Sequence, residues 1–197
     1  DGGDGIDTYI ATGAFSDYSI AVASNGTVTI THTVSGAVDT AEANVELLNI
    51  GGTLIDLTMP VHVYDASDSL VGTFATLQLA HDDAGTVPGF RINLFGTVTG
   101  QSLTISKDNL KIEGGTDDTG NVFTLGGGVT TLTLLGDAPF EVIGNNAVNV
   151  ITGNDGANVI RGNGGNDTLD GGEGSDTYQV SGTGHGYDIY DDNGSAS

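Results

Sequence analysis

Four nine-residue blocks, GNNAVNVIT (144–152), GNDGANVIR (153–161), GNGGNDTLD (162–170) and GGEGSDTYQ (171–179), follow one another without a slip in register. Each begins with Gly, carries Asn or Asp at its sixth position and places Ile151, Ile160, Leu169 or Tyr178 at its eighth. A six-residue Gly-rich turn lets the backbone bend tightly and aim its carbonyls inward. The three residues that follow form a short strand, and the eighth side chain fills a core. Two blocks complete one coil, so sixth-position oxygens 18 residues apart stack on one side: Asn149 with Asp167, Asn158 with Asp176. Gly, Asn and Asp are ordinary turn residues because they tolerate positive φ, which would account for one block. Four in register, with GGDGIDTYI (2–10) as a fifth, point past turn chemistry to a shared ligand.

These blocks resemble the RTX nonapeptide, the haemolysin-type calcium repeat GGxGxDxUx. The resemblance implies an all-β fold, a parallel β-solenoid in which a calcium-binding β-roll closes around Ca²⁺, and secretion by a type I system. Ca²⁺ takes roughly six to eight oxygens at about 2.3–2.6 Å, whereas Mg²⁺ demands a smaller and stricter octahedron. The expected ligands are Asp167 and Asp176 with Asn149 and Asn158, and the turn carbonyls near Gly153, Asp155, Gly162, Gly164, Gly171 and Glu173. Asp4 and Asp7 belong to the N-terminal block, where Asp7 makes half a site, and Asp188, Asp191 and Asp192 in GYDIYDDNG close the last site or hand over to a following unit. Asn149 and Asn158 stand where the family has Asp, so weaker calcium binding is expected in the first coil.

Composition agrees with a bound cation. Only 4 Lys and Arg stand against 26 Asp and Glu, a formal charge of −22 on 197 residues, which repels itself without counter-ions. The same balance removes nucleic acid as a partner, since phosphate affinity needs clustered cations, and it opposes an anionic membrane surface. No membrane insertion is expected. With no Cys, an extracellular or cell-surface chain needs another staple, and metal ions supply one. The opening Asp1-Gly2-Gly3-Asp4-Gly5 reads as an excised segment whose targeting signals lie elsewhere.

A longer period is present as well. Residues 1–20 align without gaps on 170–189 with ten of twenty positions identical, an offset of 169 residues. Slightly more than one unit of a tandem array is therefore expected, with adjacent copies as partners, in one chain or head to tail between subunits. The expected organisation is the end of a β-roll (1–13), a β-hairpin and linker (14–58), a short right-handed parallel β-helix (59–143), the RTX roll (144–181) and an exit segment (182–197) equivalent to 14–28. Tyr18–Ala23 and Thr27–Thr33 alternate around Asn25-Gly26, the signature of a hairpin with a type I′ turn; that role explains Asn25-Gly26-Thr27 better than a glycosylation sequon does. Ala41–Ile50 resembles the segment that commonly follows RTX blocks. The strands from Val61 onward resemble the opening coils of pectate-lyase-like β-helices, with a short amphipathic segment over Thr73–Ala84. Both architectures are parallel coils, so one hydrogen-bond ladder can run through them.

That likeness raises an accessory module of a polysaccharide lyase or epimerase as a rival. Proton abstraction beside a uronate needs cations and a base, and the supply is Arg91, Lys107, Lys111 and Arg161 with His32, His62, His81 and His185 scattered. Lys107 and Lys111 flank one turn, where solvated charge is the simpler reading. His81 beside Asp82-Asp83 reads as a helix-end residue, so no enzyme is expected. A carbohydrate-binding adhesin module would need an exposed aromatic platform, and the aromatics here fall mostly at inward positions. The expected role is a spacer, fibre or surface-layer element.

Overall fold

The computed structural model describes residues 6–14, 17–22, 27–41, 45–83, 89–94, 97–180 and 184–191. The turn at Asn25-Gly26 and the proposed ligands Asp4 and Asp192 lie outside them.

From residue 91 the chain winds as a parallel solenoid with two sheets. One sheet takes β9 (Arg91–Leu94), β11 (Leu110–Gly114), β13 (Thr131–Gly136), β15 (Val150–Thr152), β17 (Thr168–Asp170) and β19 (Ile189–Asp191); the other takes β10 (Ser102–Ile105), β12 (Val122–Leu125), β14 (Glu141–Ile143), β16 (Val159–Arg161) and β18 (Thr177–Tyr178). The strands are two to six residues long, and in β9, β10, β12 and β13 every second side chain of the core-facing run is buried, so that one face of each pleat supplies the core. In the first sheet Lys111 lies over Arg91, Leu132 over Leu110, Ile151 over Leu132 and Leu169 over Ile151, so the coil shortens from 20–22 residues to 19 and then 18. The second sheet steps likewise through Leu103, Phe123, Val142, Ile160 and Tyr178. The shared ladder is thus present: β-helix coils pass into nonapeptide coils with both sheets unbroken, and one apolar core runs from Ile92 to Leu169, with Tyr178 packed against its end.

Within the solenoid, parallel pairing starts at β9, later than the expected β-helix over 59–143. Before it, β7 (Val61–Tyr64) runs antiparallel to β9, and β8 (Leu70–Phe74) runs antiparallel to β7. The alternation of VHVY cannot encode strand direction, and a seven-residue helix, α1 (Leu77–Asp83), turns the chain back. α1 lays Leu77 and Ala80 on the core beside the first coil and packs against β10, the end strand of its sheet. An otherwise open edge is covered in this way.

The N-terminal part builds two smaller sheets. β1 (Thr8–Ala11) pairs in parallel with β5 (Leu47–Ile50), which pairs antiparallel with β6 (Thr53–Asp56). β2 (Tyr18–Val22), β3 (Val28–His32) and β4 (Val38–Ala41) form an antiparallel meander. Ile20, Ile30, Leu48, Ile50, Tyr64 and Leu70 close a second core between them and the β7–β8 hairpin.

His62 on β7 is fully buried, and burial pushes its pKa down from 6.5 to about 4, against backbone hydrogen bonds with Met59 and Leu57 that pull it up. A base whose folded pKa is depressed binds its proton first in the unfolded chain. Its contribution is therefore intact above pH 6.5 and is lost as the pH falls toward 4, on the order of 3 kcal/mol in all. Urea midpoints measured between pH 7 and pH 4 should fall along this course, and His62→Gln should flatten the slope.

Candidate metal centre

The roll brings its sixth-position residues into two columns. Asp167 Oδ1 accepts the Asn149 amide N–H at 2.8 Å, and Asp188 Oδ1 accepts the Asp167 amide at 3.0 Å. On the opposite side Asp176 Oδ1 accepts the Asn158 amide at 2.7 Å. Asn149, Asn158 and Asp167 are buried, while Asp176 and Asp188 are half-buried. The eighth positions explain why: Ile151, Ile160 and Leu169 point into the core, which swings the sixth residue over the turn.

Each column needs Gly at the first position. A Cβ on Gly162 would sit 2.2 Å from Asp167 Oδ2, and one on Gly171 would sit 2.4 Å from Asp176 Oδ2. At Gly144 and Gly153 the obstruction is a carbonyl of the next coil, Gly162 O at 2.3 Å and Gly171 O at 2.0 Å. Carboxylate and stacked carbonyls therefore share the space that a side chain would fill. Asp167 Oδ2 is buried with no hydrogen-bond partner although the residue is only 1% exposed. A buried carboxylate oxygen left in that state is costly, and a hard cation satisfies it. Among the described residues no three acidic or His side chains converge, so backbone carbonyls would supply most of a shell here. Such a mixed oxygen set suits Ca²⁺.

Burial pushes the Asp167 carboxyl up from its ordinary value, assisted by the Asp188 charge and opposed by the Asn149 amide. For an acid with a raised folded pKa the cost is present above that pKa and is relieved as pH falls toward the unfolded value. Without metal, the roll should therefore gain stability on mild acidification, and calcium should bind less tightly as protons compete. Thermal melts in EDTA at stepped pH test the first effect.

The remaining expected ligands separate. Gly153, Gly162 and Gly171 are buried in the turns and Gly164 is half-buried, its amide donating to Asn145 O at 3.0 Å. The Asp155 and Glu173 residues are exposed, and the Asp155 amide donates to Gly136 O at 2.9 Å. Asp191 offers its carbonyl to Tyr178 Oη and to the Gly171 amide from an exposed position on β19. Asp7 lies in the N-terminal part, where its amide donates to Glu46 Oε2 at 2.8 Å.

Asn145 and Asn154, at the second position of the first two blocks, were not singled out by the repeat logic. Asn145 Nδ2 donates to Gly126 O and Val129 O at 2.7 and 2.6 Å, and Asn154 Nδ2 donates to Leu135 O and Ala138 O at 3.2 and 3.0 Å. Asn149 Nδ2 and Asn158 Nδ2 reach the same Val129 and Ala138 carbonyls. Neutral amides thus hold the carbonyls of the last β-helix coil. The departure of Asn149 and Asn158 from Asp was the visible signal, and its use is to face a coil that has no nonapeptide turn.

Lys107, His81 and Arg91 brace the scaffold. Lys107 Nζ donates to the His81 and Asp82 carbonyls at 2.7 and 2.9 Å, capping the end of α1. His81 is 2% exposed, and its Nε2 accepts the Ser106 amide at 3.1 Å. Arg91 is bound between Asp68 and Glu113 over the Tyr64 ring.

A family model of the RTX calcium-binding nonapeptide repeat, in four copies, matches residues 143–178. No curated protein and no solved structure matches the chain. The matched segment coincides with the coils of 18-residue step, so this part of the chain is a calcium-binding RTX β-roll.

Proposed function

We propose, with the RTX calcium-binding repeat at 143–178 as premise, that the chain is a calcium-dependent structural repeat of a secreted or cell-surface protein, acting as a rigid spacer, fibre or surface-layer element. The observation that carries this reading is the continuity of both sheets and of the core from the β-helix coils into the roll. Calcium bound in the columns makes one stiff body of the whole solenoid. Repeats of this family are typically structural, which agrees with Lys107, His81 and Arg91 being engaged in bracing the fold. Among the described residues no helix is long and apolar enough to cross a membrane.

Placement outside the cell follows from the ion. Extracellular modules bind calcium with dissociation constants of roughly 10⁻⁴–10⁻³ M, so a roll with few charged ligands per site fills where calcium is abundant. At cytosolic levels the charge of −22 keeps the chain self-repelling and exportable. Asp167, Asp176 and Asp188 are the carboxylates that would hold the metal, with turn carbonyls beside Gly144, Gly153, Gly162 and Gly171. Far-UV circular dichroism and sedimentation of an EDTA-treated sample during Ca²⁺ titration, with Mg²⁺ as control, test the reading. Calcium-specific gain of β-structure and compaction is expected; folding indifferent to calcium would overturn it.

A further inference from the structure

Two pairs of edge strands are one piece of sequence seen twice. Asp7, Thr8, Tyr9, Tyr18 and Ile20 recur 169 residues later as Asp176, Thr177, Tyr178, Tyr187 and Ile189, which makes β1 the counterpart of β18 and β2 the counterpart of β19. All four end their sheets, and each counterpart is paired on the side its twin leaves open. β18 lies against β16 through the amides of Thr177 and Gln179. In β1 it is the carbonyls of Asp7 and Ala11, counterparts of Asp176 and Val180, that accept from β5. Alternate residues of a strand address opposite edges, so one strand can carry both neighbours without conflict. The second pair obeys the same rule. Ile189 and Asp191 bond β17, whereas β2 meets β3 through Asp17, whose phase is that of residues 186, 188 and 190.

Burial and charge agree with a junction. Tyr187 and Ile189 are 89% and 62% exposed, yet Ile20 is fully buried and Tyr18 stacks edge-on against His32 at 5.1 Å. In the roll every described sixth-position amide that is answered by a side chain meets an Asp of the next coil, and for Asp7 the carboxylate is Glu46, 39 residues on.

We propose that the roll end of one copy receives the N-terminal sheets of a following copy. β18 does for β5 what β1 does here, and β19 does for β3 what β2 does. Both solenoid sheets then run through the junction, and Glu46 of the following copy extends the Asn158–Asp176 column by one carboxylate. This rests on the tandem structural-repeat reading and specifies its interface.

The test is the full chain extended by one period, with residues 29–197 appended after Ser197, carrying Gln179→Cys and Asn49→Cys in the appended copy. Gln179 is the counterpart of Ile10, which sits opposite Asn49, and the chain has no Cys of its own. Directly paired strand positions lie within disulfide reach, so oxidation should give an internal crosslink at least tenfold above a control with Asp56→Cys of the appended copy, one strand further away. Circular dichroism with and without calcium is read in parallel. Calcium-driven folding with no crosslink above the control overturns the docking alone. A crosslink indifferent to calcium, in a chain that folds without it, sustains the docking and overturns the calcium reading; neither crosslink nor calcium response overturns both.

Discussion

Asp167→Asn raises the calcium concentration needed for half-folding by about tenfold or more, equivalent to about 1.4 kcal/mol per site affected. Asp167 stands in the middle of the column from Asn149 to Asp188 and carries a buried oxygen without a hydrogen-bond partner. Asn keeps an oxygen for the Asn149 amide and nearly the same shape, so the variant removes charge with little loss of packing. The metal-free roll should be no less stable than the parent at neutral pH, because the carboxylate that burial disfavours is gone. Asp155→Asn serves as control, since that residue is exposed and outside both columns. Calorimetric calcium titration of the three proteins checks the order; an equal loss for Asp155→Asn would mean that general charge, and not the column, sets the affinity.

Phe123→Ala costs about 3–5 kcal/mol, measured by urea unfolding at saturating calcium. Phe123 and Phe140 are buried and meet edge to face at 5.2 Å, filling the core between consecutive coils. Collapse around the gap is hindered because the neighbours are ladder strands held at fixed spacing. In a solenoid each coil is stabilised mainly by the next, so the loss should also shift the calcium dependence of the roll. Tyr178→Ala, at a half-buried position against the core end, should cost less.

The nonapeptides were legible because their chemistry is local. Gly at the first position, Asn or Asp at the sixth and an apolar residue at the eighth dictate an 18-residue coil, and Ile151 over Leu132 under Leu169 is the result. The reversal at β7 was not legible, since buried VHVY looks alike in parallel and antiparallel pairing. Nor was Glu46 on the Asp7 amide, a contact between residues far apart in a segment without a motif. Asn145 and Asn154 looked like turn residues and proved to hold the carbonyls of the preceding coil.

Those asparagine amides bear on how the roll starts to form. A parallel coil with nothing to stack on must order a whole turn before any bond rewards it, a costly nucleus. Here the last β-helix coil presents its rungs to neutral amides that need no ion, so the first nonapeptide turn already has a template. Growth then proceeds in one direction, rung by rung. Adding and withdrawing calcium should trace the same curve, without hysteresis and without a lag phase.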